Sequence, residues 1–147
     1  MRQLSLLCVY GCSTHHRHSL VSLSHDRVAF IAGSYLVVLD CINHEQRYLP
    51  FSAIESLYVS PGKTLMGIID RPTPHGDTRV HLYSTQPIEL VFIVEPDRFG
   101  SFIGIAINND DTALAILHDK PTYMITIRKS NVRHRRDRRA VPGLSFT

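Results

Sequence analysis

One strand-turn-strand pattern is written twice in this sequence, and it leaves few folds open. The first copy begins Ile54-Glu55-Ser56-Leu57-Tyr58-Val59 and turns at Ser60-Pro61-Gly62-Lys63. Thr64-Leu65-Met66-Gly67-Ile68-Ile69 follows, then a polar loop, then Arg79-Val80-His81-Leu82-Tyr83-Ser84. The second copy runs Phe102-Ile103-Gly104-Ile105-Ala106-Ile107, turns at Asn108-Asn109-Asp110-Asp111, and returns through Thr112-Ala113-Leu114-Ala115-Ile116-Leu117. After a short loop comes Tyr123-Met124-Ile125-Thr126-Ile127-Arg128. Aligning the turns places Thr64 over Thr112, a spacing within the roughly 40–50 residues of sheets repeated around an axis. The order of apolar strand, polar turn, apolar strand, loop and alternating strand suits such sheets, because each one buries both faces against its neighbours.

The Ile, Val, Leu and Tyr content of these runs fits strands. No sustained apolar stripe of period 3.6 occurs, which predicts almost no helix. A first, less regular unit covers about residues 1–50. In it Val28 to Ala32 and Tyr35 to Leu39 are split by Gly33-Ser34, which suits a tight hairpin. Leu20 to Leu23 is a candidate innermost strand, and Gln46 to Leu49 a short outer one ending at Pro50. The second unit spans about 51–95, with an outer strand Ile88 to Val94 starting after Pro87, where a missing N–H costs little. The third, about 100–129, offers three strands and no fourth. The fold class expected is all-β: a partial β-propeller of about two to three four-stranded antiparallel blades, followed by a basic tail at 130–147.

A chain of 147 residues is long enough for one domain with a real core. No stretch approaches the roughly 18 uninterrupted apolar residues of a membrane helix, so no membrane partner is expected. Leu4 to Tyr10, interrupted by Ser5 and without a small-residue cleavage site, reads as a strand rather than a signal peptide. Three cysteines, Cys8, Cys12 and Cys41, make no disulfide framework and point to a cytoplasmic protein. Of 16 Lys or Arg and 13 Asp or Glu, seven basic residues and one acidic residue lie between Arg128 and Arg139. The remainder carries nine basic and twelve acidic residues, so the body is mildly acidic and the tail alone makes the chain basic.

The order Val59-Ser60-Pro61-Gly62-Lys63-Thr64-Leu65, then a strand ending Val80-His81-Leu82-Tyr83, resembles a WD-repeat propeller blade. There a hydrophobic-Ser-Pro-Asp/Asn-Gly-polar turn precedes a strand ending in Trp or Tyr and Asp. This chain has no Trp, and no Gly-His opens a repeat, so the Asp-His-Ser/Thr-Trp network of the best repeats is absent. From about Val9 to Arg128, through Tyr10-Gly11, the run His25 to Leu39 and the two blades, it resembles the N-terminal end of the long cilia- and flagella-associated WD-repeat proteins. That resemblance implies a scaffold on the axoneme that positions dynein-associated regulatory parts.

Sites for chemistry are sparse. Cys8, Cys12, His15, His16 and His18 are zinc-ligand residue types, but their spacing does not match paired knuckles, and no metal is expected. Gly62-Lys63-Thr64 ends like a phosphate-binding loop, yet Leu57 stands where the first glycine belongs, so it reads as a β-turn. No Gly-x-Ser-x-Gly elbow or spaced carboxylate pair is present, and neither enzymatic activity nor a cofactor is expected. The candidate partner-binding positions are the rim loop, with Arg71, His75, Asp77 and Arg79, and the cluster Arg133, Arg135, Arg136, Arg138 and Arg139. Arg pairs with phosphates and carboxylates through a planar fork. The cluster therefore suits nucleic acid, an acidic membrane, a microtubule surface or plain solvation. The alternative function is thus nucleic-acid binding through the tail. A closed propeller takes about 4–8 blades, so this chain reads as a fragment, as a piece completed by another protein, or as a gene-model product.

Overall fold

The computed structural model describes residues 11–12, 18–74, 76–96, 100–119 and 123–129. Among these there are eleven strands and no helix. β1 (Leu20–Ser22), β2 (Arg27–Ala32), β3 (Tyr35–Asp40) and β4 (Gln46–Pro50) form the first sheet in chain order. β5 (Ile54–Val59), β6 (Leu65–Asp70), β7 (Arg79–Thr85) and β8 (Ile88–Val94) form the second. β9 (Phe102–Ile107), β10 (Ala113–His118) and β11 (Ile125–Lys129) form a third, of three strands. Every pairing is antiparallel between chain neighbours, and none of the sheets closes into a barrel. This is a partial, propeller-like arrangement. The strands fall on the runs read from the sequence, while Leu4 to Tyr10 and the tail lie outside the described residues.

Two apolar layers hold the sheets together. Ala29, Ile31, Leu36 and Val38 of sheet 1 meet Leu57, Met66, Ile68 and Ile88 of sheet 2. Leu65, Ile69, Val80, Leu82 and Val94 of sheet 2 meet Phe102, Ile105, Ile107, Leu114 and Ile116 of sheet 3. Sheet 2 is thus covered on both faces, and all six residues of β6 are buried. That is why β6 reads Leu-Met-Gly-Ile-Ile-Asp rather than alternating: successive side chains point into different layers, and both layers are apolar. Gly67 belongs to the second layer. A Cβ there would collide with Ile105 Cδ1 and lie 3.3 Å from Leu82 Cδ2, so the absent side chain makes room for the end of Ile105 from sheet 3. Strands β1, β5 and β9 lie next to one another, which gives the stack a common inner edge.

The repeated turns share one hydrogen-bond scheme. Ser60 and Asn108 open them: the Ser60 N–H donates to Leu65 O at 2.9 Å, and the Asn108 N–H to Ala113 O at 3.1 Å. The side chains of Ser60 and Asn108 then accept the N–H of Leu65 (3.2 Å) and Ala113 (2.7 Å). Lys63 and Asp111 take the left-handed backbone, at φ 57° and 56°. Gly62, the residue best suited to that conformation, is not the one that adopts it.

Candidate interaction surface

The described residues of the loop from Asp70 to Arg79 make several contacts that hold it to the sheets. Asp70 is buried, and its Oδ1 accepts the N–H groups of Ser52 (3.2 Å) and Ala53 (2.9 Å), in the connection from sheet 1 to sheet 2. Arg71 pairs through Nε with Glu55 and donates from Nη1 to Gly76 O at 2.7 Å. Asp77 accepts the Ser101 hydroxyl at 3.0 Å, and the Thr78 hydroxyl donates to Phe102 O at 2.8 Å. The far end of the loop is therefore anchored to sheet 3. Arg79 forms an exposed ion pair with Glu95 at 2.8 Å. Arg71, Asp77 and Arg79, taken from the sequence as partner contacts, all hold the chain to itself. His75, Arg133, Arg135, Arg136, Arg138 and Arg139 lie outside the described residues, as do Cys8, His15 and His16.

Two polar pairs, each with one buried member, occupy matching places in sheets 2 and 3, and the sequence did not single them out. His81 Nε2 lies 3.9 Å from Asp70 Oδ2, beyond hydrogen-bond range, and the Phe51 ring meets the imidazole edge-on at 5.3 Å. Burial pushes the His81 pKa below its usual value; Asp70 and Glu95 act the other way, and Arg79 reinforces burial. In sheet 3, at the corresponding positions, His118 Nε2 lies 2.9 Å from Thr126 Oγ1, with Phe102 edge-on at 5.2 Å. Each pair sets a polar side chain at the end of a second strand beside one on a third strand. Their correspondence depends on pairing register across loops of different length, which a linear reading does not supply. The Gly62-Lys63-Thr64 segment is a strand-connecting turn, with the Lys63 Nζ donating to Ser22 Oγ at 3.0 Å. Among the described residues, no group of three or more His, Cys, Asp or Glu is placed to hold a metal ion. Among the same residues no helix is long and apolar enough to cross a membrane.

The outer face of sheet 3 is left uncovered by the described residues. Leu114 and Ile116 point into the layer with sheet 2, so Ala115 and Leu117 point away. Paired across from them are Ile127 and Ile125, which are 67% and 63% exposed. Laying the turns over one another places Ala115 on Gly67 and Leu117 on Ile69, and register then places Ile127 on Leu82 and Ile125 on Val80. Leu82 and Val80 are fully buried, covered by sheet 3. The same positions are apolar in both sheets, but in sheet 3 nothing among the described residues covers them. The pairing register identifies the residues that form this face.

No protein-family model matches the sequence, and no curated protein matches it. Among solved structures it is similar to the β-propeller domain of the Trilobed protease from Pyrococcus furiosus, which has an open velcro topology. The two are 11% identical, with a TM-score of 0.47. The alignment takes in 76% of this chain and spans about a third (35%) of the length of that solved chain.

Proposed function

We propose that this chain is a non-enzymatic protein–protein interaction scaffold, assembled from propeller-type sheets whose outer face receives a partner. The observation that carries this is the exposure of Ile125 and Ile127 at positions whose counterparts, Val80 and Leu82, are buried by the next sheet. Apolar surface of that kind is the usual mark of a binding face. Arg71, Asp77 and Arg79 of the loop between β6 and β7 are held by contacts within the chain and lie beside this scaffold as a second candidate contact. From the resemblance to axonemal WD-repeat proteins, the site of action is the axoneme of motile cilia or flagella, and the task is to hold dynein-regulatory components in place.

The test is fractionation of ciliated cells that express the tagged chain. Retention in the detergent-resistant axonemal fraction is expected, and loss of retention in the I125D/I127D variant with folding intact. A chain that stays wholly in the detergent-soluble fraction contradicts the axonemal assignment. Salt-steep binding to duplex nucleic acid, abolished by deletion of residues 130–147, supports the nucleic-acid alternative instead.

A further inference from the structure

The two oxygens of Asp70 face different partners at one end of the layer between sheets 1 and 2. Its Oδ1 accepts the N–H groups of Ser52 and Ala53, at 3.2 and 2.9 Å. Those residues carry the chain from β4, at the outer edge of sheet 1, to β5 of sheet 2. Its Oδ2 faces His81 Nε2 at 3.9 Å, too far for a hydrogen bond. That nitrogen is buried and has no hydrogen-bond partner among the described residues. One carboxylate thus holds the connection with one oxygen and lies a short step from a titratable ring with the other.

The charges around His81 come from several elements. Asp70 ends β6, Arg79 begins His81's own strand β7, and Glu95 follows β8. Arg79 and Glu95 pair with each other at 2.8 Å, and their effects on the ring oppose one another. Arg47 of β4 acts on Tyr83, on the same face of β7 as His81, and burial keeps that phenol neutral. Asp70 is therefore the anion that an imidazolium at position 81 meets.

We propose that His81 and Asp70 form a proton-operated latch on the connection between sheets 1 and 2: neutral His81 leaves Asp70 to hold Ser52 and Ala53, and protonated His81 draws the carboxylate away and loosens the connection. A charge-assisted N–H···O bond is about 2.8 Å long, so the pair must close by about 1 Å. If the carboxylate moves, the Ser52 bond is lost first, because it already sits at the long end of the normal range. If the ring moves, it displaces Phe51, whose own ring stands edge-on against the imidazole at 5.3 Å. Phe51 directly precedes Ser52, so both routes end on the same short segment. The Phe51 N–H also donates to Ser34 O, and Ala53 O accepts the Arg71 N–H. Those two bonds keep the sheets joined and confine the change to the latch. Burial opposes a charge on His81, which places the transition below about pH 6.5.

NMR on the full chain from pH 7.5 to 4.5 follows ring and amides together. His81 is read from its imidazole shifts. Ser52 and Ala53 are read as hydrogen-exchange protection factors, which remove the intrinsic pH dependence of exchange. Protection at both amides is expected to fall about tenfold or more, as for loss of a hydrogen bond to a charged group, with the midpoint at which His81 titrates. Leu114 and Ile116 in sheet 3 should lose much less. H81Q should hold the two amides level across the range. D70N keeps the acceptor and removes the charge, so it should flatten the response as well and serves if H81Q does not fold. Five outcomes would each overturn the latch: no titration of His81 in this range, amides that ignore its midpoint, protection that rises on protonation, an equal loss at Leu114 and Ile116, or a response unchanged in both variants.

Discussion

At the scale of single residues, the polar side chains inside the stack are the sensitive points. His81 is held neutral by burial, so its folded pKa lies below the ordinary value of about 6.5. Its contribution is complete above the unfolded pKa and is lost as pH falls toward the folded one, because the unfolded chain then binds the proton more readily. Asp26 and Asp40 do not share this window. Hydrogen bonds from Ser24 and from the Asn43 amide, respectively, hold them below the carboxylate range, where they stay ionised. The urea midpoint should therefore drop between pH 7.5 and 5.5 by more in the parent than in H81Q; equal drops contradict the assignment. Asp70 makes a second test. D70A leaves the amides of Ser52 and Ala53 without their acceptor and should cost about 1–3 kcal/mol in urea unfolding, while D70N, which keeps Oδ1, should cost less. Neither residue announced itself in the sequence. Asp70 looked like the start of a polar loop and His81 like the polar half of an alternating strand, and only the register of β6 against β7 brings them together.

At the scale of strands and turns, the sequence was easy to read, because each apolar run is bounded by residues with one structural use. Pro50, Pro61-Gly62, Pro87 and Asn108-Asn109 each interrupt a run where a strand ends or begins. What stayed hidden was the conformation within the turns. Lys63 and Asp111 take the left-handed region, although Gly62 sits beside the former, because the hydrogen bonds from Lys63 to Ser60 and from Asp111 to Asn108 fix the fourth residue there. The packing role of Gly67 was equally hidden, since a glycine in a strand has several uses. G67V should push Ile105 and Leu82 apart and destabilise the chain by about 1–3 kcal/mol, the usual cost of overpacking a filled core. A variant with an unchanged unfolding midpoint would show that sheets 2 and 3 do not meet at that closeness.

At the scale of the whole molecule, the defining property is that the sheets differ in how they are covered. Among the described residues, sheet 2 is packed on both faces and sheet 3 on one. The binary pattern does not record this difference, because Ile125 and Ile127 are as apolar as Val80 and Leu82. A sequence specifies which faces want a neighbour, not whether the neighbour belongs to the same chain. I125D/I127D should therefore leave the unfolding free energy measured in urea within about 0.5 kcal/mol of the parent's, as surface changes do. The same pair of aspartates inside sheet 2, as V80D/L82D, should prevent folding, which circular dichroism would register as loss of the β signal.

Native-state hydrogen exchange resolved by strand tests the stacked order most directly. Sheets arranged one behind another, with sheet 2 in the middle, require the slowest amides to lie in β6 and β7 and require β1 and β11 to exchange faster. Exchange in β6 as fast as in β11 would mean that sheet 2 is not enclosed by its neighbours, and the stack described here would be wrong.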